Sequence, residues 1–268
     1  MYLTIKKPFS ISEIGKRLNN EDSIYPDDYG TASDRLFLVC DGVGGSNKGE
    51  AASLIACDAI QTYFNTFLDA ENDINPEFIQ KAIRYTEIRF DEYIKENPNA
   101  KGMATTLCLL YLAADRIYLA HAGDSRIYQF RQGKIIFKTE DHSIVNSMVK
   151  TGQINPEDAG KHPQKNVIYK AIQGSNLPLD IDITQITDIQ ADDCFLMCTD
   201  GVTETLSDSE LSELFAKNAS PEETLSAIKA RCSNQSRDNY SAYLIPIHEI
   251  EEMNAFKHVM NSFLYAFV

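Results

Sequence analysis

Between residues 103 and 138 the chain alternates short apolar runs with turn residues, a spacing that suits strands and leaves no room for helices of ordinary length. The runs MATTLCLLYL, RIYLAHA, SRIYQFR and KIIFK are separated at Ala114-Asp115, Gly123-Asp124 and Gln132-Gly133. Tight turns between β-branched and aromatic runs predict consecutive strands in an antiparallel meander. Further strands are expected at 34–41, 167–172, 182–188, 193–199 and 240–247. Helices are expected at 48–69, 76–96, 143–151, 208–217 and 221–232. In the second of these, Ile79, Ile83, Ile88 and Tyr93 fall roughly at helical spacing, and Pro76 after Asn75 marks its start. Two groups of strands with flanking helix pairs predict an α+β domain, sheet packed on sheet with helices outside. The polar stretch 152–166 with its two prolines reads as a surface excursion.

The core domain is expected to span residues 1–247. In the tail 248–268, Met253, Phe256, Met260, Phe263 and Phe267 recur three and four apart, the spacing of one helix face. Such an amphipathic extension packs on its own domain, self-associates or docks a partner, and the sequence does not choose among these.

With 43% apolar and 24% charged residues in 268, the chain can build a sizeable core. A formal charge of −14 argues against nucleic acid, which is bound by supplying cations. It leaves room for a phosphorylated substrate if clustered acids trap metal ions, because a bound metal reverses the local sign. The six cysteines include no CxxC pair, so buried free thiols are expected rather than a zinc site. No secretory signal and no membrane-spanning run is evident, and a cytoplasmic location is expected.

Two segments resemble each other. LFLVCDGV (36–43) and CFLMCTDGV (194–202) are apolar runs that end in Asp-Gly. Such a strand carries its carboxylate to the end of a sheet, where the glycine lets the backbone turn. Asp-Gly alone is a turn signal; two with matching flanks would bring Asp41 and Asp200 together. RLNNEDS adds Glu21 and Asp22 after Arg17, HAGDSRIY adds Asp124, and SRDNYSAYLI adds Asp238. If these acids converge, their repulsion calls for hard divalent cations such as magnesium or manganese. Convergence does not follow from spacing alone.

The segments RLNNED, CDGVGGSNKGEAAS, MATTL, AGDSRIY, TEDHSIV, HPQKNVIYKAIQG, CTDGVTETLSD and SRDN occur in that order. Together they resemble the metal-dependent protein phosphatases of the type 2C class in their compact bacterial form, from about residue 10 to 247. The resemblance implies a four-layer αββα sandwich, two antiparallel sheets flanked by helix pairs. It implies two ions, Mn2+ or Mg2+, bridged by Asp41. The Gly42 carbonyl and Glu21 would complete one shell, and Asp200 and Asp238 the other. Asp124 with Asp200 matches the position of a third, weaker ion. Asp22 would orient the attacking water and Arg17 would hold the substrate phosphate. Asn239 would support the ligands, with a plain turn residue as the competing reading.

The implied reaction is hydrolysis of phosphoserine and phosphothreonine in a phosphorylated protein substrate, opposing a serine/threonine kinase. Small phosphorylated metabolites are the alternative substrates on the same fold. An inactive phosphoprotein-binding module is the third reading, opposed by the presence of all four acids Glu21, Asp41, Asp200 and Asp238. Two positions depart from the family. Val43 stands where eukaryotic members carry a histidine, and Gln235 stands where a glycine usually precedes SxDN. His142 and His162 read as hydrogen-bonding loop residues, Arg126 as support for the Asp124 loop, and Gly44 and Gly45 as close packing. The 152–166 excursion matches the family's variable flap, a candidate substrate-selecting element.

Overall fold

The computed structural model describes residues 2–27, 30–43, 48–68, 74–217 and 219–251. Along the chain run β1 (Tyr2–Ile5), β2 (Phe9–Glu13), β3 (Asp22–Tyr25), β4 (Leu36–Val43), α1 (Lys48–Phe67) and α2 (Pro76–Glu96). Then come β5 (Ala104–Thr105), β6 (Leu107–Leu112), β7 (Ile117–Ala122), β8 (Arg126–Arg131), β9 (Lys134–Lys138), α3 (Ile144–Lys150) and α4 (Pro156–Ala159). The last part holds β10 (Asp182–Ile186), β11 (Cys194–Cys198), α5 (Asp200–Thr203), α6 (Asp208–Phe215), α7 (Pro221–Gln235) and β12 (Tyr240–Glu251).

These strands form two antiparallel sheets. One has the order β10-β7-β6-β4-β3, with β5 on β4; the other has the order β1-β12-β11-β8-β9, with β2 also on β12. Strand β12 is long enough to serve both neighbours, pairing Tyr240–Leu244 with β2 and its far end with β1. Both sheets are covered on each face, which is why β4, β6 and β11 are near-continuous apolar runs and not alternating ones. Three apolar clusters separate four layers. Ile60, Ile79 and Ile83 of α1 and α2 pack on Leu38 and Leu109. Phe37, Leu110, Phe195 and Tyr243 fill the space between the sheets. Leu211 and Ile228 of α6 and α7 pack on Leu196 and Leu244. The α+β sandwich expected from the sequence is the fold observed.

Helix starts follow their local chemistry. The Asn75 side chain accepts from Phe78 N at 2.9 Å ahead of Pro76. Ser207 with Glu210 and Ser220 with Glu223 form reciprocal capping boxes for α6 and α7.

Four expectations change. The stretch 103–138 is not one meander: β6–β7 and β8–β9 are hairpins, but β7 and β8 lie in different sheets. Gly123-Asp124 is therefore a crossing between layers, made at a glycine with φ of 101°. The expected strand at 167–172 is reduced to single bridges, Ser143 to Ile168 and Thr105 to Ile172. Strands β1, β2 and β3 had no counterpart in the reading of the sequence. Finally, β12 continues through Glu251, so the first four residues of the expected helical tail extend the sheet. The remainder of that tail, 252–268, lies outside the described residues, as do Gly44 and Gly45.

Candidate metal centre

Strand register brings the singled-out acids to one end of the sandwich. In the first sheet Asp22 at the start of β3 is paired with Asp41 near the end of β4. The start of β6 meets the end of β7 there, Leu107 opposite Ala122. In the second sheet Cys198 ends β11 opposite Arg126 at the start of β8 and Ala242 near the start of β12. Thr199 joins the two ends: its Oγ1 donates to Asp22 Oδ2 at 2.9 Å and accepts from Ser241 N at 3.0 Å.

Asp22 and Asp41 thus stand directly across one strand pair, an arrangement that disfavours two negative charges. Burial pushes the Asp22 carboxyl up to about 7, opposed by hydrogen bonds from Ser241 and Thr199 and reinforced by the charges of Asp238 and Glu21. Asp41 is raised well above the usual carboxylate range, first by burial and then by Asp22, Asp200, Asp124 and Asp238. Asp200 is raised in the same way, by burial and then by Asp124, Asp238, Glu204 and Asp22. The backbone around Asp41 is held by threonines: Asp41 N donates to Thr106 Oγ1 at 2.9 Å, and Thr105 Oγ1 donates to Asp41 O at 2.9 Å.

Glu21 and the Gly42 carbonyl share a neighbour. A Cβ on Gly49, in the first turn of α1, would lie 2.6 Å from Gly42 O and 2.8 Å from Glu21 Cδ. A Cβ on Gly42 would sit 2.0 Å from Gly49 O, so strand end and helix start approach more closely than side chains permit. Gly42 N in turn donates to Glu21 O at 2.9 Å.

Asp200 opens α5, and Gly201 backs onto the other acid segment: its Cβ would lie 2.0 Å from Asn239 O. Asn239 is buried and ties down the loop that carries Arg17 and Glu21. Its Nδ2 donates to Ile14 O at 2.8 Å and Asn19 O at 2.9 Å, while its Oδ1 accepts from Glu21 N at 2.9 Å. The two oxygens of Asp238 are already engaged. Oδ2 accepts from Arg17 Nη2 at 2.5 Å and Oδ1 from Asn239 N at 2.8 Å. Arg17, read from the sequence as a phosphate holder, here neutralises an acid of the cluster.

Asp124 and Asp200 face a cleft of 620 Å³ bordered on its other side by Val149 and the 152–166 excursion. Burial pushes the Asp124 carboxyl up to about 6. Its loop is fixed from below. Thr106 Oγ1 meets Ser125 Oγ at 2.7 Å, and His121 Nε2 meets Ser125 O at 3.0 Å. His142 accepts from Gly123 N through Nδ1 at 3.1 Å and contacts Asp182 Oδ2 through Nε2 at 2.8 Å. Arg126 forms a two-pronged pair with Asp141, at 2.6 and 2.7 Å, consistent with a supporting residue. His162 lies in the exposed excursion.

The donor chemistry fits hard divalent cations: half-buried carboxylates of Glu21, Asp41, Asp200 and Asp238 and the Gly42 carbonyl, with no thiolate or imidazole among them. Among the described residues no three side chains of His, Cys, Asp or Glu close around a common point. The acids converge without closing on one point, and Asp238 is engaged by Arg17. Thr106, Thr199, Ser241 and Gly49 are supporting residues that the reading of the sequence missed. Their only signal was membership in the MATTL, CTDGV, SRDNYSAY and KGEAAS segments.

The profile of the family described as Protein phosphatase 2C matches residues 12–237. Protein phosphatase PhpP of Streptococcus pneumoniae is 31% identical over 249 residues, covering 89% of this chain and 96% of that protein. Serine/threonine protein phosphatase PstP of Mycobacterium tuberculosis is 32% identical over 200 residues, 74% of this chain. The match spans only 36% of that mycobacterial protein's length. Among solved structures, Stp1 of Staphylococcus aureus superimposes with a TM-score of 0.80 at 31% identity, covering 93% and 98% of the two chains. The PstP catalytic domain in complex with two manganese ions gives 0.76 at 27% identity, covering 92% and 100%.

Proposed function

This chain belongs to the protein phosphatase 2C family, and on that premise we propose that it hydrolyses phosphoserine and phosphothreonine in proteins, opposing a serine/threonine kinase. The observation that carries the reading is the meeting of Asp22, Asp41, Asp200 and Asp238 at the joined ends of two sheets, with the first three held above their usual carboxylate range. Such a cluster is costly unless cations neutralise it. The two manganese ions of the PstP catalytic domain support divalent ions as those cations.

Asp41 would serve both ions, Glu21 and the Gly42 carbonyl one, and Asp200 and Asp238 the other; Asp124 with Asp200 would offer a third, weaker position. When bound, such ions supply Lewis acidity, easing proton loss from the attacking water and offsetting charge on the phosphoryl oxygens. Asp22, steadied by Thr199, orients the water. Arg17 exchanges Asp238 for the phosphate, whose oxygens match its planar fork. Asn239 keeps the Arg17 loop in place through this exchange. No cysteine acts as nucleophile: the contact with Cys57 and then burial push the Cys40 thiol up, and burial does the same to Cys108 and Cys198, away from the reactive thiolate. The free cysteines favour the cytoplasm as the compartment.

The test is manganese-dependent phosphate release from phosphothreonine peptides and from small metabolite phosphates, with Asp41→Asn as control. The expected result is a kcat/KM on peptides at least tenfold higher, lost in the control. A preference for metabolites would move the substrate class. No hydrolysis of either would favour a binding module.

A further inference from the structure

Among the described residues, the cations that line the cleft beside Asp124 and Asp200 are paired with acids, with one exception. Arg126 is committed to Asp141, at 2.6 and 2.7 Å, and Lys165 of the excursion to Glu204 at 2.8 Å. Asp124 and Asp200 belong to the acid cluster. Arg237 also lines the cleft and is exposed, and among the described residues it has no hydrogen-bond or ion-pair partner.

In a chain of net charge −14, an arginine next to Asp238 in a cleft that further acids also line would be expected to collapse onto one of them. Local geometry prevents the nearest pairing. Ser236 Oγ bonds both Asp238 N and Asp238 O at 3.2 Å, and Asn239 N holds Asp238 Oδ1. This turn commits the Asp238 carboxylate to Arg17 and leaves Arg237 on the cleft side. The result is a guanidinium with its donors open, in a cleft continuous with the candidate metal centre.

We propose that Arg237 selects acidic substrates: its guanidinium takes a carboxylate, or a second phosphate, a few residues from the phosphoserine or phosphothreonine being hydrolysed. A guanidinium offers parallel donors that both anions accept in two-pronged fashion, which a lysine cannot match. The second phosphate carries more charge than the carboxylate and gains more. The proposal rests on the phosphatase reading above. It adds a specificity residue outside the metal centre, on the substrate's flanking sequence.

The test uses three phosphothreonine peptides that differ at one neighbouring position, glutamate, phosphoserine or glutamine, with manganese and the full chain. The quantity read is the ratio of kcat/KM on each acidic peptide to that on the glutamine peptide, in which any general damage to the enzyme cancels. In the wild type the ratio is expected to exceed about fivefold, carried mainly by KM and larger for phosphoserine. In Arg237→Ala it should fall to about one, and in Arg237→Lys it should lie between. An unchanged ratio in Arg237→Ala, or no preference in the wild type, overturns the proposal. If no peptide is hydrolysed, it is the phosphatase reading that fails. Fluorescence anisotropy of the same three labelled peptides then decides on Arg237: the affinity difference disappears in Arg237→Ala if the proposal holds, and persists or is absent from the start if it does not.

Discussion

Asp22 and Asp41 face each other as cross-strand partners of β3 and β4, two carboxylates at the point where the sheets are joined through Thr199. A sheet stabilised only by its own chemistry would not put like charges there. The pair identifies a place where the fold gives up stability for what the acids can hold.

Asp22→Asn should therefore stabilise the metal-free protein while impairing it. Asparagine keeps an acceptor for Thr199 and removes a buried charge. Between about 3.8 and 7 the folded chain keeps a proton on Asp22 that the unfolded chain has released. Acid thus favours folding in that window, and the advantage is lost as pH rises through 7. The substitution should raise the metal-free Tm near pH 8, raise it much less near pH 5, and lower kcat. Thermal melts at the two pH values check the first part, and phosphopeptide turnover the second.

Divalent ions should stabilise the fold, and do so more in alkali than in acid. A ligand that binds only the folded state raises its stability, by about 2.7 kcal/mol at a hundred times Kd. Here binding must compete with protons on Asp22, Asp41, Asp124 and Asp200, all held above the usual range. Manganese should raise Tm by several degrees near pH 8 and by little near pH 5. Calorimetry with and without chelator measures this.

Removing the Asn239 side chain should loosen the loop that carries Arg17 and Glu21. Three hydrogen bonds of 2.8 to 2.9 Å are lost at a buried position, leaving Asn19 O and Glu21 N without that partner, while Ile14 O keeps Arg17 N at 3.3 Å. Each unsatisfied buried group costs about 1–3 kcal/mol. Asn239→Ala should lower stability by a few kcal/mol and weaken manganese binding. Denaturant melts and metal titration followed by calorimetry separate the two effects.

Gly201→Ala should damage the centre although it adds only a methyl. The new Cβ would stand 2.0 Å from the Asn239 carbonyl oxygen, a backbone atom that cannot rotate away. Asp200 and Asp238 would be forced apart. The control Gly160→Ala, where a Cβ meets nothing within 4 Å, should be nearly neutral. Manganese-dependent turnover and Tm of the two variants provide the comparison.

Much of this was legible in the sequence. Helix α2 spans 76–96 as expected from its Asn75-Pro76 start, with Ile79 and Ile83 buried, but Ile88 is half exposed and Phe90 takes the buried place. The apolar runs before Asp41 and Asp200 are β4 and β11. The crossing at Gly123-Asp124 was not legible, because a hairpin and a change of sheet use the same turn residues, and only long-range pairing separates them. Strands β1 to β3 are short, and β2 and β3 are only partly covered, so they lack the continuous apolar signal of β4. Each acid was visible at a segment end, whereas Thr106 and Thr199 read as ordinary strand formers. The hold of Arg17 on Asp238 joins residues 221 positions apart and has no local trace.

The most direct test is an anomalous diffraction map from crystals grown with manganese. The account predicts two strong peaks with Asp41 between them, Glu21 and the Gly42 carbonyl on one, Asp200 and Asp238 on the other, and Arg17 released from Asp238. Peaks elsewhere in the molecule, or an Asp238 still held by Arg17 beside bound metal, would contradict it.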